Sequence, residues 1–304
     1  MSKLSVIIPS RNELFLSQTV NDLFKKAQGE IEVVVTLDGY WPNGNETGNL
    51  PDDNPNLIVV HHGTPKGMRA SINSAASVAS GDYLMKCDAH CMFAEGFDEV
   101  LKADCDQDWI VIPSRFSLDA EKWDVLHTGK SRVDYHFLSY PYKLEGWRDH
   151  DAGLHGSPWN QRSRERKDNP DYDIDEEMSF QGSCWFMSSR HFKETLGGMS
   201  EVGYETFIQE PQEIGLKTWL GGGKIMVNKK TWYAHLHKGN QYGRGYYMSK
   251  REVVRGGAYS NDFWMNNRWE DRIHDIEWLI ERFAPVPSWP DNWRELIDER
   301  RANG

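Results

Sequence analysis

The chain has 304 residues, of which 38% are hydrophobic and 27% charged, so it can bury a sizeable core in one large or two moderate domains. Its net charge of −11 excludes a global basic field that attracts nucleic acid. No run approaches the roughly 20 apolar residues of a membrane helix, so we expect a protein without a membrane partner.

The first residues, MSKLSVIIPSRNE, do not fit a signal peptide, because the apolar stretch is short and runs into Pro9 and charged residues. Cysteines without an export signal favour reduced thiols. The chain has four of them: Cys87, Cys91, Cys105 and Cys184. We therefore expect a cytoplasmic location, in the host cytoplasm if the protein is viral.

Five short apolar runs rich in β-branched residues predict buried strands, over residues 4–8, 31–36, 57–61, 83–87 and 109–113. Apolar residues at helical spacing predict helices within 14–27 and 68–79, and Gly81 is placed to cap the second. The order strand, helix, strand, strand, helix, strand predicts an α/β fold with a doubly wound, mostly parallel sheet.

Polar side chains follow three of these strands. After the first strand come Ser10, Arg11, Asn12 and Glu13, after the second Asp38, and after the fourth Asp88. Ligands bind beyond the carboxyl ends of the strands in such sheets. We therefore expect one ligand site that collects residues far apart in the sequence.

Asp88 and His90 are two residues apart at the end of the fourth strand. Side chains alternate along extended backbone, so this pair is expected on one side and the thiols of Cys87 and Cys91 on the other. A carboxylate and an imidazole together suit Mn²⁺ or Mg²⁺ bridging a diphosphate, and the thiols facing away argue against zinc. The alternative is that Asp88 caps a turn and His90 is an ordinary polar residue.

His235 and His237 form a second pair, after the apolar stretch 224–227. Either histidine could complete the metal shell, and the spacing does not decide between them. The alternative is a surface pair on an edge strand.

Glu210 and Glu213 mark a predicted helix start, because Pro211 fits the first helical position and Glu210 the cap region. Glu213 lies one turn further, so both carboxylates could sit near the same helix end. The alternative is that they only complement the helix dipole.

The rest of the chain is less regular. Residues 114–177 form a polar and aromatic excursion over the sheet, where acceptor specificity is commonly located, and it contains a basic strip at 162–167 expected in an exposed loop. A second ordered block starts at residue 178. Apolar residues from Ile273 to Phe283 predict a packed helix in the tail, 271–304.

Together, the three clusters resemble the catalytic domain of the polypeptide N-acetylgalactosaminyltransferases, within the GT-A class of glycosyltransferases. That family has a strand ending in Asp-x-His-Cys, as in Asp88-Ala89-His90-Cys91. It also has a helix beginning Glu-Asn-x-Glu, with a Trp six residues beyond and a Gly pair near its end, as in Glu210-Pro-Gln-Glu213, Trp219 and Gly222. The resemblance covers roughly residues 1–110 and 178–270.

The resemblance implies a GT-A domain over 1–270, with a nucleotide-binding half (1–113), the excursion on the acceptor side (114–177) and a catalytic half (178–270). It implies a hexosyl- or pentosyltransferase that uses a nucleotide sugar, a uridine diphosphate sugar above all. In register with the family, Asp88, His90 and His235 would hold Mn²⁺ or Mg²⁺.

Further roles follow from the same resemblance. Pro9 and the polar residues after it would line the nucleotide pocket, and Asp38 would contact the base. Gly67 and Arg69 would lie near the ribose and phosphate. Glu210 would lie near the donor sugar.

The resemblance favours a retaining reaction with front-face attack, whereas an inverting one would need a base such as Glu210 or Glu213. Departures from the family bear on specificity: Leu37-Asp38 stands where two acids are frequent, Pro211 replaces the Asn, and neither a membrane anchor nor a lectin domain is expected.

The acceptor stays open among a protein, a glycan and a hydroxymethylated DNA base. The DNA alternative would use the 162–167 strip for phosphates and Trp147 or Trp159 for stacking. Two other classes are a sugar nucleotidylyltransferase and a non-catalytic nucleotide-sugar binding module. The loop after the first strand lacks the Gly-rich character of the former, and the presence of all three metal-ligand candidates argues against the latter.

Overall fold

The computed structural model describes residues 2–39, 50–51, 53–126, 132–142, 154–205, 208–243 and 246–303. The strands within these ranges are β1 Leu4–Ser10, β2 Ile31–Asp38, β3 Leu57–His62, β4 Tyr83–Cys87, β5 Cys91–Phe93, β6 Trp109–Asp119, β7 Asp124–Val125, β8 His136–Leu138, β9 Gly156–Pro158, β10 Ile174–Glu176, β11 Cys184–Ser188 and β12 Lys224–His235. The α-helices there are α1 Leu16–Lys26, α2 Met68–Val78, α3 Phe97–Ala103, α4 Asn160–Glu165, α5 Glu210–Leu220, α6 Gly239–Tyr242, α7 Lys250–Met265, α8 Ile276–Phe283 and α9 Trp293–Asn303. A 3₁₀ turn, Pro170–Tyr172, and a π-helical turn, His191–Thr195, complete the regular structure of these ranges.

A mixed sheet forms the centre of the molecule, with its main strands in the order β10-β12-β6-β11-β4-β1-β2-β3. Strand β1 pairs in parallel with β2 and β4, β2 with β3, and β6 with β12. Strand β11 runs antiparallel between β4 and β6, and the short β5 pairs antiparallel with the end of β12. The α/β fold with a mostly parallel sheet is therefore confirmed.

All five predicted strands are confirmed, as β1 to β4 and β6, and β6 extends well beyond its predicted end to Asp119. The predicted cap of α2 was wrong. The helix ends at Ala79, whose N–H donates to the Ala75 carbonyl. Gly81 instead allows β1 to pack closely, because a Cβ at this position would lie 2.7 Å from the Ser5 nitrogen.

Apolar side chains are buried on both faces of the sheet, as its parallel strands require. Ile7, Val34 and Leu84 belong to a core with α2, α5 and α8, while Val6 and Val33 belong to a second core with α1 and α3. The carboxyl ends of β1, β2 and β4 are consequently fixed side by side.

The middle segment contributes to the first core, since Leu138 and Leu154 are 1% and 0% exposed in the same cluster as α5 and α8. The basic strip is not the expected loop, because much of it forms α4.

In the tail, the predicted helix is α8, but Ile273 precedes it and is 71% exposed, so its apolar side chain does not extend the helix face. No helix in the described ranges is long and apolar enough to cross a membrane.

Candidate active site

A cavity of about 550 Å³ opens at the carboxyl ends of β1, β2, β4 and β12, where a ligand site is expected in this type of sheet. Predicted site residues that line it are Pro9, Ser10, Arg11, Glu13, Asp38, Gly67, Asp88, His90 and His235. Residues that sequence reasoning did not select also line it, among them Met68, Ser71, Lys238 and Tyr246. The fold thus brings the ends of four strands into one pocket.

Asp88 and His90 enter the pocket from a turn rather than from extended backbone. Strand β4 ends at Cys87 and β5 starts at Cys91. Between them, Ala89 and His90 form the turn. As predicted, the thiols lie on the other side from Asp88 and His90, since Cys87 and Cys91 are 0% exposed in the core. The predicted reason, alternation along an extended backbone, was wrong. The turn is held by the Asp88 N–H, which donates to the Ser183 carbonyl at 2.9 Å.

His235 reaches the same point because β12 pairs antiparallel with β5, with His235 opposite Cys91. His235 Nε2 lies 3.2 Å from Asp88 Oδ2 and 3.1 Å from His90 Nε2. His90 Nε2 lies 3.8 Å from Asp88 Oδ2. One atom from each of the three side chains therefore points at a common centre.

This donor set has the chemistry of a divalent metal site. The candidate ligand atoms of Asp88, His90 and His235 all lie within 4.8 Å of one another. Two imidazole nitrogens that face each other need a proton or a cation between them, and a carboxylate oxygen beside them adds negative charge. His237 is exposed and its ring centroid lies 5.1 Å from that of His235, outside this converging group.

The electrostatics keep Asp88 and His235 in the forms that bind metal. Burial raises the pKa of the Asp88 carboxyl, but the Lys86 ammonium and the contact with His235 outweigh it, and the pKa falls well below its usual range. Burial lowers the pKa of His235 to about 4, against the opposing effect of Asp88. At neutral pH this gives an ionised carboxylate beside a neutral imidazole.

Glu13 supports the histidine side of the site. Its Oε2 lies 3.3 Å from His90 Nδ1 and also accepts a bond from Lys238. Burial raises its pKa, but these two partners reverse the shift and leave the carboxyl ionised. A carboxylate on the far nitrogen of a ligand histidine fixes the orientation of the ring.

Lys86 is a site residue that sequence reasoning missed. Its ammonium is buried and lies 2.7 Å from Asp88 Oδ1 and 3.3 Å from Glu210 Oε2. Burial lowers the pKa of Lys86, but the two carboxylates more than restore it, so the side chain is charged. The available signal was a lone charged residue inside the otherwise apolar run 83–87.

Glu210 starts α5 and is 1% exposed, and it does not line the described part of the cavity. Its Oε1 accepts from Trp185 Nε1 at 2.7 Å, and its Oε2 faces Lys86. Burial raises the pKa of Glu210 while Lys86 opposes this shift. The helix cap is Gln209, at φ 62°, rather than Glu210.

Glu213 and Arg69 form a buried ion pair away from the cavity. Each side chain is 1% exposed, and Glu213 also accepts from the Ser200 N–H at 2.9 Å. The Arg69 guanidinium donates further to the Ile208 and Ser200 carbonyls. The roles predicted for Arg69 near the ribose and phosphate and for Glu213 as a base stay predictions. The burial of both side chains away from the cavity disfavours these roles.

Asp38 holds the loop that leads into α2. Its Oδ1 accepts from the Lys66 N–H at 2.7 Å and its Oδ2 from the Gly67 N–H at 2.9 Å, while His62 Nδ1 lies 2.9 Å from Oδ1. Gly67 caps α2 at φ 98°, where a side chain is strained. The carboxylate thereby fixes the α2 N-terminus at the edge of the cavity.

Arg11 gives the cavity wall a cationic group, and its Cζ lies 5.0 Å from the centroid of the Tyr246 ring. Asn12, although predicted with it, is exposed at φ 53° and does not line the described cavity. Of the residues predicted after the first strand, Ser10, Arg11 and Glu13 line the cavity and Asn12 lies outside it, and their role toward a ligand stays a prediction.

Part of the basic strip proposed for DNA contact is engaged elsewhere. Arg166 pairs with Asp175, and Arg162 donates to the Glu176 carbonyl at 3.0 Å. Trp159 is 7% exposed and packs edge-on against Phe137, so the predicted stacking role of this residue is wrong. Trp147 lies outside the described residues.

Comparisons with known proteins identify the family and the fold of the chain. The sequence model of glycosyl transferase family 2 matches residues 5–194, more than half of the chain. The crystal structure of GalNAc-T7 with UDP, GalNAc and Mn²⁺ matches with a TM-score of 0.67 at 17% identity, over 88% of this chain and 49% of that chain. The crystal structure of S. aureus TarS 1–349 in complex with UDP-GlcNAc matches with a TM-score of 0.51 at 16% identity, over 81% of this chain and 62% of that chain.

The chain thus spans about half the length of the GalNAc-T7 chain. No curated protein sequence matches it. At such identities the structural likeness shows the fold, which is the GT-A fold.

Proposed function

The chain belongs to glycosyl transferase family 2, and from that membership we propose that it transfers a sugar from a uridine diphosphate donor to an acceptor hydroxyl with the help of a divalent ion. The observation that carries the proposal is the convergence of Asp88, His90 and His235 on one point of the cavity. The uridine nucleotide is supported by the two structural neighbours, whose structures contain UDP and UDP-GlcNAc.

Asp88, His90 and His235 would hold the ion, and of Mn²⁺ and Mg²⁺ the two imidazoles favour Mn²⁺. A divalent ion bound there supplies charge neutralisation for the leaving diphosphate. Glu13 orients the His90 ring, and the N-terminus of α2 presents backbone N–H groups at the cavity wall, a favourable place for phosphate.

The described cavity wall favours the retaining course. Its carboxylates are Glu13, Asp38 and Asp88, and each already accepts bonds from side chains or backbone. Glu210 is buried behind Lys86, so we propose that it acts on the donor through Lys86 rather than as a base. A front-face reaction, in which the phosphate takes the acceptor proton, needs no further protein base.

For the acceptor, we propose a protein or glycan hydroxyl rather than a DNA base. The net charge of −11 opposes DNA binding, and the engagement of Arg162 and Arg166 leaves Arg164 and Lys167 as the exposed cations of the strip. The cavity volume suits a nucleotide sugar and leaves the acceptor to approach from its open side.

The test is a hydrolysis screen of the purified chain with Mn²⁺, using UDP-, GDP-, ADP- and TDP-sugars, with and without EDTA. We expect Mn²⁺-dependent release of UDP from one UDP-sugar, and then its acceleration by a peptide or glycan acceptor. The matched control is His61→Ala, an exposed histidine on β3 outside the cavity, which keeps full activity. Absence of hydrolysis of every nucleotide sugar would favour a binding module, and pyrophosphate release from UTP with a sugar phosphate would favour a nucleotidylyltransferase.

A further inference from the structure

Lys86 is a buried cation in the middle of the sheet. Strand β4 lies between β1 and β11, and Lys86 stands opposite Ile7 on one side and Trp185 on the other. Its side chain is 1% exposed. An ammonium in such a place is retained only if its charge is paired and its protons are accepted.

The three donor positions of the ammonium match three acceptors. These are Asp88 Oδ1 at 2.7 Å, Glu210 Oε2 at 3.3 Å and the Gly182 carbonyl. They belong to the turn after β4, to the start of α5 and to the loop before β11. Lys86 is therefore fixed from three directions and cannot swing away from Asp88 when a ligand arrives.

The Asp88 carboxylate is consequently divided between two partners. Its Oδ1 faces Lys86, and its Oδ2 faces His235 and His90. A cation held by Oδ2 would share one carboxylate with the Lys86 ammonium, at a separation of a few ångströms. Repulsion between a divalent ion and an ammonium that close is worth well over a hundredfold in affinity at an effective dielectric constant near 20.

We propose that Lys86 is a positioning residue that weakens the binding of a bare divalent ion and so makes ion binding depend on the donor diphosphate. This inference rests on the proposed function. Asp88, Glu210 and Lys86 together carry one net negative charge, so a divalent ion leaves a net positive site that attracts a diphosphate. Without Lys86 the ion alone would neutralise the carboxylates of Asp88 and Glu210. The electrostatic attraction of the site for a diphosphate would then be weaker.

The experiment is a titration of Mn²⁺ by electron paramagnetic resonance, with and without UDP, on the wild type and on Lys86→Met. We expect Lys86→Met to bind Mn²⁺ alone at least about tenfold more tightly, because the lost repulsion outweighs the lost hydrogen bond to Asp88, which is worth about two- to tenfold. In this variant UDP increases the affinity for Mn²⁺ by a smaller factor than in the wild type, reduced by a similar amount. By thermodynamic linkage, Mn²⁺ increases the affinity for UDP by that same smaller factor. Donor hydrolysis then shows a lower kcat rather than a higher KM for Mn²⁺.

Two further variants keep the test decisive. Lys86→Arg retains the charge and is expected to retain the wild-type dependence on UDP. If Lys86→Met does not fold, Lys86→Gln removes the positive charge but keeps a hydrogen-bond donor for Asp88 and Glu210, and it is expected to shift Mn²⁺ binding in the same direction. The matched control is Lys3→Met, which removes a lysine paired with Glu32 away from the cavity and leaves Mn²⁺ binding unchanged.

Equal or weaker Mn²⁺ binding by the folded Lys86→Met or Lys86→Gln variant, with an unchanged effect of UDP, overturns the inference and leaves the proposed function standing. A wild type that binds no Mn²⁺ even with UDP overturns both.

Discussion

Asp88 and His235 are 147 residues apart in the chain, yet His235 Nε2 lies 3.2 Å from Asp88 Oδ2. The contact exists because β12 crosses back to pair with β5 immediately after the turn that carries Asp88 and His90. A single strand pairing thus completes the candidate metal site, and it also ties the second half of the chain to the first.

Glu13→Gln is expected to weaken Mn²⁺ binding in the presence of UDP by about ten- to a hundredfold, because it removes the charge behind the His90 ring. Calorimetric titration of Mn²⁺ into the UDP-loaded protein measures this change. Glu95→Gln is the control, since Glu95 forms an exposed pair with Lys26 and is expected to have no effect. Wild-type affinity in Glu13→Gln would remove Glu13 from the site.

Arg69→Met separates the two roles considered for Arg69. A structural role predicts that the free energy of unfolding falls by about 3 kcal/mol, because the buried Glu213 carboxylate loses Arg69 and keeps Lys217 as its cationic partner. Urea denaturation measures this loss. Arg190→Met, in an exposed pair with Glu194, is expected to cost less than about 1 kcal/mol. An unchanged unfolding free energy combined with a loss of UDP affinity would instead place Arg69 in the nucleotide site.

Gly182→Ala is expected to reduce kcat for donor hydrolysis by about ten- to a hundredfold, because an added Cβ would lie 2.9 Å from Glu210 Oε2 and displace that carboxylate from Lys86. Gly63→Ala is the matched control, since a Cβ there meets no atom within 4 Å. Steady-state kinetics of donor hydrolysis with saturating Mn²⁺ measure kcat for the two variants. Equal kcat values for the two variants would show that the Lys86–Glu210 contact does not matter for the reaction.

Glu32 gives the fold a defined acid dependence. Burial raises its pKa, but Lys3, Ser5 and Ser80 lower it to about 2 from 4.5. A lowered pKa in the folded state stabilises the fold above the unfolded value and loses this effect as the pH falls from about 4.5 to 2. Glu32→Gln is therefore expected to cost about 2 kcal/mol at pH 7. The difference from the wild type should shrink toward zero in unfolding experiments near pH 2, and a pH-independent difference would contradict the assignment.

Much of the framework could be predicted from the sequence because it depends on local patterns. The apolar runs of β1 to β4 are continuous and short, and turn residues bound them, so their assignment needed no tertiary information. Asp88 and Asp38 could be placed at one edge because parallel strands share that edge. The turn at Ala89 was missed, since its formation depends on the pairing of β5 with β12.

Other parts depend on contacts that spacing does not encode. Lys86 is buried because Asp88, Glu210 and Gly182 come from three separate elements, and a pattern of residue types within one strand cannot show that. Arg69 resembled a ligand contact by its place after Gly67, yet Glu213 and backbone carbonyls take up its donors. Trp159 looked available for stacking, but the packing of α8 covers it.

The most direct test of the central claim is Mn²⁺ binding in the presence of UDP, followed by electron paramagnetic resonance, for Asp88→Ala, His235→Ala and the control His61→Ala. The wild type and His61→Ala are expected to bind one Mn²⁺ and to hydrolyse the donor. Asp88→Ala and His235→Ala are expected to lose both activities while their circular dichroism spectra stay those of the folded protein. Wild-type Mn²⁺ binding by either folded alanine variant would contradict the assignment of this site.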